Sequence, residues 1–244
     1  MVGLIGIFAV GLLAGFLNVM AGGGSLITLP MLIFLGLPVA MANGTNRVAI
    51  LVQSVAAVTS FSRQGFASSR LGLAFALTTL PGAVAGALVA VRVGEGTFRA
   101  ILAGVLLFSV FGLLAPSRQV GVPHTDSRRA NAIAFVAFLG IGFYGGFIQA
   151  GVGFLFMLVL HRLLGLDLVR TNVYKVLIVL CLSVPALSVF ILTGNVQWNM
   201  AIALAVGNAS GAVVATRVSV KGGERPIRIV LGVALLLMAG RLVW

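Results

Sequence analysis

Acidic side chains are nearly missing from this 244-residue chain, with four Asp and Glu against sixteen Lys and Arg. Residues of either charge make up only 8%, whereas a soluble globular domain carries roughly 25%. A soluble fold of this size would lack the polar side chains to cover its surface, so nearly every cytosolic enzyme class is excluded. One cysteine, Cys181, cannot form an intrachain disulfide, which excludes a disulfide-stapled secreted scaffold. The two histidines, His124 and His161, have no second histidine or carboxylate at ligand spacing, so no metal site is expected. Intrinsic disorder is excluded by the amount of apolar sequence.

Apolar residues account for 60% of the chain, the mean hydropathy is +1.19, and long apolar runs recur throughout. This is the pattern of an all-α integral membrane protein with several spans. The formal charge of +12 would point to nucleic acid in a soluble protein. Here the cations lie between apolar segments, where retention on the cytoplasmic face and contact with anionic headgroups account for them, and no nucleic-acid partner is expected. The opening M-V-G-L-I-G-I-F has no basic leader region and reads as the start of the first helix.

Turn signals divide the chain into about ten apolar segments, at 2–20, 25–37, 44–62, 71–91 and 98–115, then 130–151, 154–166, 172–192, 198–218 and 227–244. Most approach the roughly 20 residues of a spanning helix. Segments 25–37 and 154–166 are too short, and each follows a glycine cluster, Gly22-Gly23-Gly24 or Gly151-Val152-Gly153. A polar stretch near the middle, 117–129, separates a first membrane repeat, 1–116, from a second, 130–244.

The halves are related in sequence. G-L-L-A-G-F-L-N at 11–18 matches G-F-Y-G-G-F-I-Q at 142–149, and L-G-L-P-V-A-M-A-N at 35–43 matches L-G-L-D-L-V-R-T-N at 164–172. A third block, G-A-V-A-G-A-L-V-A-V-R-V at 82–93, matches G-N-A-S-G-A-V-V-A-T-R-V at 207–218. Three blocks in the same order indicate duplication. The loop at 63–70 carries Arg63 and Arg70, while its counterpart at 193–197 is uncharged. The loop after 218 is richly basic, with Lys221, Arg225 and Arg228. Such a swap of charge bias between halves is expected of repeats with inverted topology. A cytoplasmic linker then places the 193–197 loop outside; an even count of spans, with the short segments re-entrant, would instead make the repeats parallel and place that loop inside. The pairs Gly11/Gly15, Gly82/Gly86, Gly142/Gly146 and Gly207/Gly211 are repeat-equivalent and are expected to mark close helix crossings.

Broken helices at equivalent places in two repeats are the best sequence pointer to a transport site. A break frees backbone groups that lipid cannot satisfy, so it must be buried or line a wet cavity. The helix N-terminus that follows offers N–H groups and the positive end of a dipole, which suit an anion. The expected site therefore comprises Asn18, Gly22, Gly23, Gly24 and Ser25 at the first break, with Asn43, Thr45 and Arg47 opening the next helix. Gln149, Thr171, Asn172 and Lys175 face them from the second repeat. Cations inside membrane segments are costly and mark function by default. The bland alternative has Arg47 and Lys175 reaching the headgroups and Asn43 and Thr171 capping helices. Gln53, Ser54, Thr78, Thr79, Ser183, Ser188, Asn208 and Ser210 read as interhelical hydrogen-bonding residues, and Pro81 and Pro185 as kinks.

Motifs for catalysis fail. Gly140-Ile-Gly142-Phe-Tyr-Gly145 fits a dinucleotide pattern but follows no strand, and Ser25 has no neighbouring base. No catalytic residue, cofactor or metal is expected, and the protein is read as not an enzyme. Glu95, Asp126 and Glu224 lie in loops and Asp167 at a segment end, which argues against ion coupling through a buried carboxylate.

The run G-L-L-A-G-F-L-N-V-M-A-G-G-G-S-L-I-T-L-P-M-L, followed by G-L-P-V-A-M-A-N-G-T-N-R, resembles the first-repeat signature of the sulfite exporter TauE/SafE family, also called the 4-toluene sulfonate uptake permeases. The block from Gly142 to Lys175 is similar to the second repeat, although G-V-G-F replaces a longer glycine run and His161 stands where the first copy has Pro30. The resemblance implies a multi-pass transporter of the bacterial inner membrane for small sulfur-containing or organic anions, with no prosthetic group. Together these features lead to the expectation of a sulfite or organosulfonate transporter working by alternating access, whose partners are the anion and the lipid bilayer. Direction, coupling ion and self-association stay open. The alternatives are a passive anion channel and a membrane scaffold subunit without transport.

Overall fold

In a bilayer every backbone polar group must find a partner within the protein, and helices meet that demand locally. The computed structural model describes residues 2–66, 70–102, 104, 128–227 and 229–230, and among these the chain is helical and contains no strand. The helices are α1 (Val2–Met20), α2 (Ser25–Phe34), α3 (Val39–Arg63), α4 (Arg70–Ala90), α5 (Arg128–Phe147), α6 (Val152–Met157), α7 (Leu168–Leu192) and α8 (Trp198–Gly222). A π-helical stretch, Leu158–Leu163, continues α6. Residues 95–102 are also helical. Most of the expected segments 98–115 and 227–244, and of the linker 117–129, lie outside the described residues.

Four of these helices, α1, α4, α7 and α8, are long and apolar enough to cross a membrane. The 25-residue α3 is as long, but its first turns carry Asn43, Thr45, Asn46 and Arg47, all buried. The ten-residue α2 and the six-residue α6 are short, as their glycine clusters foretell. Large apolar side chains such as Phe34, Val136, Leu192 and Ile202 remain exposed, an outward face suited to lipid rather than water.

Two helices begin earlier than their apolar runs indicate. α3 starts at Val39 behind Pro38, and α7 at Leu168 behind Asp167, whose Oδ1 accepts from the Arg170 amide at 2.8 Å. Asn43 and Thr171 therefore lie inside helices and cap neither. The cap positions were hidden because apolarity starts only after the polar opening turns.

Contacts fix the helix directions. Gly11 packs on Leu204 and Gly15 on Asn208, so α1 and α8 run the same way. Thr45 meets Gln197 near the N-termini of α3 and α8, and Ser60 meets Thr216 near their C-termini, so α3 shares that direction. Gly82 packs on Leu139 and Gly86 on Phe143, making α4 and α5 parallel. Gly72 at the start of α4 meets Tyr174 near the start of α7. Gly44 near the start of α3 meets Phe190 near the end of α7, so the two sets run oppositely. The sequence repeat pairs α1 with α5, α3 with α7 and α4 with α8, and each pair points in opposite directions. The repeats are inverted, in accord with the loop-charge argument.

The repeat-related glycine pairs form the crossings. Gly11 and Gly15 of α1 face Gly207 and Gly211 of α8, and Gly82 and Gly86 of α4 face Gly142 and Gly146 of α5. A Cβ at any of the eight would run into the opposing backbone, which is why only glycine fits these contacts.

Candidate anion site

The first break forms because Gly22 takes a left-handed φ of +85°, and its amide turns back to the carbonyls of Leu17 (3.1 Å) and Asn18 (2.9 Å). Gly24 then packs on the backbone of Ala14, tucking the start of α2 against α1. At the second break Gly151 takes φ +69°, and Gln149, which is not glycine, takes φ +57°. A left-handed non-glycine residue persists only when its surroundings hold it there. Gln149 Nε2 donates to Ser183 Oγ at 3.0 Å, and the Tyr144 hydroxyl donates to the neighbouring Ala150 carbonyl.

The two breaks touch. Gly22 lies against the backbone of Gly153, and the Phe154 ring covers Gly23. Asn18 and Gln149 match across this contact. Asn18 Nδ2 donates to Gln53 Oε1 on α3 at 3.2 Å, as Gln149 does to Ser183 on α7. Gln53 and Ser183 thus make the interhelical bonds expected of them, each tying a break to the third helix of its own half. Thr78, Thr79, Ser188 and Ser210 instead donate to carbonyls a turn back in their own helices.

Arg47 and Lys175 reach across to the opposite half. Arg47 Nη2 donates to the carbonyls of Gly145, at 3.0 Å, and Gly146, while Asn43 Nδ2 donates to Phe147 O at 2.8 Å. Lys175 Nζ donates to Val19 O at 2.6 Å and to Asn172 Oδ1 at 2.8 Å, and lies 3.7 Å from Met157 Sδ. Each cation thus meets the carbonyl-bearing C-terminal end of a broken helix, where the helix dipole favours positive charge. Neither snorkels; both are buried.

Their remaining capacity differs. The contacts of Lys175 occupy its three donor positions. Arg47 keeps Nε and Nη1 without a protein partner, and its guanidinium carbon stands 4.8 Å from the centre of the Phe190 ring. Beside it in sequence, Asn46 accepts from Thr28 Oγ1 at 2.7 Å but leaves Nδ2 unpartnered. Asn43 Oδ1, Ser54 Oγ, Gln149 Oε1 and Asn172 Nδ2 are also buried without partners. Spare N–H capacity on a cation is therefore concentrated in the first half.

Not every expected residue serves the centre. Thr45 Oγ1 accepts from the Gln197 amide at 2.9 Å, and the Thr171 hydroxyl donates to Leu166 O at 3.3 Å, so both are engaged at helix starts. Ser25 is buried at the head of α2. Thr28, Asn46 and Phe190 were missed as site residues. Asn46 had a signal in its position beside Arg47; Phe190, 143 positions further along the chain, had none. His161 Nδ1 sits 2.7 Å from Leu166 O, and among the described residues no three His, Cys, Asp or Glu gather as a metal site would require.

Comparison with known proteins follows the same lines. The family model described as sulfite exporter TauE/SafE matches residues 7–242. The chain is 30% identical to a Sinorhizobium protein named probable membrane transporter protein ORF9, over 97% of this chain and 90% of that one. It is 30% identical to probable membrane transporter protein YfcA of Escherichia coli K12, over 99% and 90% of the two chains. A probable membrane transporter protein of Haemophilus influenzae is 25% identical over 98% and 93%. No solved structure matches.

Proposed function

The chain belongs to the sulfite exporter TauE/SafE family and is a multi-pass membrane transporter of the bacterial inner membrane; on that premise we propose that it carries small oxyanions, sulfite or an organosulfonate, by alternating access around the paired helix breaks. The repeats, 1–116 and 130–244 about the linker 117–129, each supply half of the cradle. Asn18, the Gly22–Ser25 backbone, Asn43 and Arg47 come from the first, and Gln149, Asn172 and Lys175 from the second, while Thr45 and Thr171, expected there from the sequence, are engaged at helix starts instead. The carrying observation is Arg47: a buried cation with Nε and Nη1 unpartnered, beside an Asn46 whose Nδ2 is also free. A buried charge left short of partners is costly, and an oxyanion accepting from these N–H groups removes the cost.

In this division of labour Arg47 binds while Lys175, committed to Val19 and Asn172, positions the first break. The Gly22–Gly153 contact supports a gated centre rather than an open pore. Glu95 and Glu224 stand at helix starts rather than in loops, and Asp167 caps α7. Among the described residues no acid therefore lies within a membrane segment, and coupling through a buried carboxylate has no candidate there. Moving one negative charge outward across an inside-negative membrane gains about 2.3 kcal/mol per 100 mV. Efflux thus needs no coupling ion.

The test is flux of sulfite, aromatic and aliphatic sulfonates and carboxylates into proteoliposomes at clamped potential. Saturable uptake with counterflow is expected. Arg47→Gln removes charge-assisted hydrogen bonds worth about 1.5–3 kcal/mol, so KM should rise on the order of tenfold to a hundredfold. Saturable flux unchanged by Arg47→Gln removes Arg47 from the site, and flux without saturation favours a channel.

A further inference from the structure

Because α3 and α8 run parallel, their C-terminal ends lie side by side, bridged where Ser60 Oγ and Thr216 Oγ1 approach to 2.5 Å. Above this bridge opens a cavity of about 610 Å³ lined by Thr59, Ser60, Arg63, Gln64, Arg217 and Lys221, among others. A second cavity, of about 760 Å³, shares Arg217 and Lys221, adds Arg225, and is walled by Val214, Val218 and Ile229. Among the described residues no carboxylate lines either cavity. Neither includes Arg47, Lys175 or a residue of the helix breaks, so this is a separate site.

Arg217 and Lys221 lie one helical turn apart on α8, and Arg63 faces them from the last turn of α3. Like charges gathered without an acid call for an anion. The positive-inside rule accounts for the sign of these residues but not for two adjoining cavities between helices. Both cavities run along the last turns of α8, and the cations lie at its C-terminal end, where a helix that crosses the bilayer meets the headgroups. The apolar wall then selects among anions. A small inorganic oxyanion makes no use of Val214, Val218 and Ile229, whereas a phosphodiester with acyl chains fills the basic part with its phosphate and the apolar part with hydrocarbon. Basic pockets between membrane helices are known to bind anionic headgroups for this reason.

We propose that the cavity between α3 and α8 and the adjoining one between α8 and the Arg225 and Ile229 that follow it form a binding site for an anionic phospholipid, with its phosphate held by Arg63, Arg217 and Lys221 and its acyl chains along Val214, Val218 and Ile229. The site is distinct from the transport centre, and lipid bound there holds together the ends of two helices drawn from opposite repeats.

The test uses the full-length protein in neutral detergent, titrated with phosphatidylglycerol and read by thermal shift and by native mass spectrometry. Saturable binding is expected. Arg217→Gln/Lys221→Gln should weaken it about thirtyfold, since each basic residue near an anionic headgroup is worth about a factor of five. The charge-preserving Arg217→Lys/Lys221→Arg should retain it, and Arg92→Gln, beyond the opposite end of α4, should leave it unchanged. Should the double glutamine variant fail to fold, Arg63→Gln alone is expected to weaken binding about fivefold. Undiminished binding in the glutamine variants, equal displacement by phosphatidylcholine, or equal competition by inorganic phosphate or sulfite would each overturn the proposal.

Discussion

Gly22 and Gly153, one from each half of the chain, lie backbone against backbone where the two interrupted helices meet. A methyl group on either would occupy the other's backbone, and at Gly22 it would also meet a φ of +85°. Gly22→Ala is therefore expected to cost about 2–4 kcal/mol, combining overpacking with left-handed strain. Gly23→Ala should be milder, because its obstacle is the Phe154 ring, which can turn aside. Thermal unfolding in detergent gives the ranking, and flux by the surviving protein shows whether close approach of the breaks is needed for transport. Equal stability of the two variants would contradict the contact.

Arg47 and Lys175 stand one position out of register in the repeat, Lys175 aligning with Asn46, yet both reach the end of a broken helix in the opposite half, and their substitutions should differ in kind. Lys175→Met keeps length but cannot donate, leaving Val19 O and Asn172 Oδ1 short of a partner. A loss of about 1–3 kcal/mol in stability is expected, with KM little changed in the protein that remains folded. Arg47→Lys keeps the charge but loses the fork, and should raise KM more than it lowers the unfolding temperature. Indistinguishable stability and KM profiles for the two would refute the division between binding and positioning.

Glycines that look alike in sequence should respond oppositely to alanine. Gly86→Ala drives a methyl into the Phe143 carbonyl of the α4–α5 crossing and should cost about 1–3 kcal/mol. Gly140, on the exposed side of α5, has nothing within 4 Å of a Cβ. Gly140→Ala should be neutral or stabilise by up to about 1 kcal/mol through helix propensity. Thermal denaturation of both variants in the same detergent decides it.

The helix directions place Asn195 and Gly223 at opposite ends of the bundle. With Cys181 replaced by Ser, Asn195→Cys in intact cells is expected to react with an impermeant maleimide. Gly223→Cys should react only after permeabilisation. Labelling of both from the same side would overturn the assigned directions.

Much of this was legible because the chain states it twice. The repeat-equivalent glycine pairs pointed to the crossings, the short segments to the breaks, and the charge swap between 63–70 and 193–197 to inversion. What stayed hidden depended on partners far along the chain. Nothing in the sequence says that Arg47 faces the carbonyls of Gly145 and Gly146, or that Lys175 spends its donors on Val19, because both bonds cross between repeats. The helix starts at Val39 and Leu168 were missed because the polar opening turns masked them. The left-handed Gln149 was unreadable because its conformation is imposed by Ser183 and the turn at Tyr144, not by its own preference.

The glycine crossings join α1 to α8 and α4 to α5, so each half lends its fourth helix to the other. Joined in one chain, this is the arrangement of an antiparallel, domain-swapped dimer. The two halves are consequently obligate partners: cut at the linker, neither fragment could bury its own glycine faces, and only co-expression should restore the protein. Any rocking motion must divide the molecule along another line, between the set α1, α3 and α8 and the set α4, α5 and α7. Each of these sets is thus of mixed descent, and the breaks at Gly22 and Gly153 lie on the seam between them.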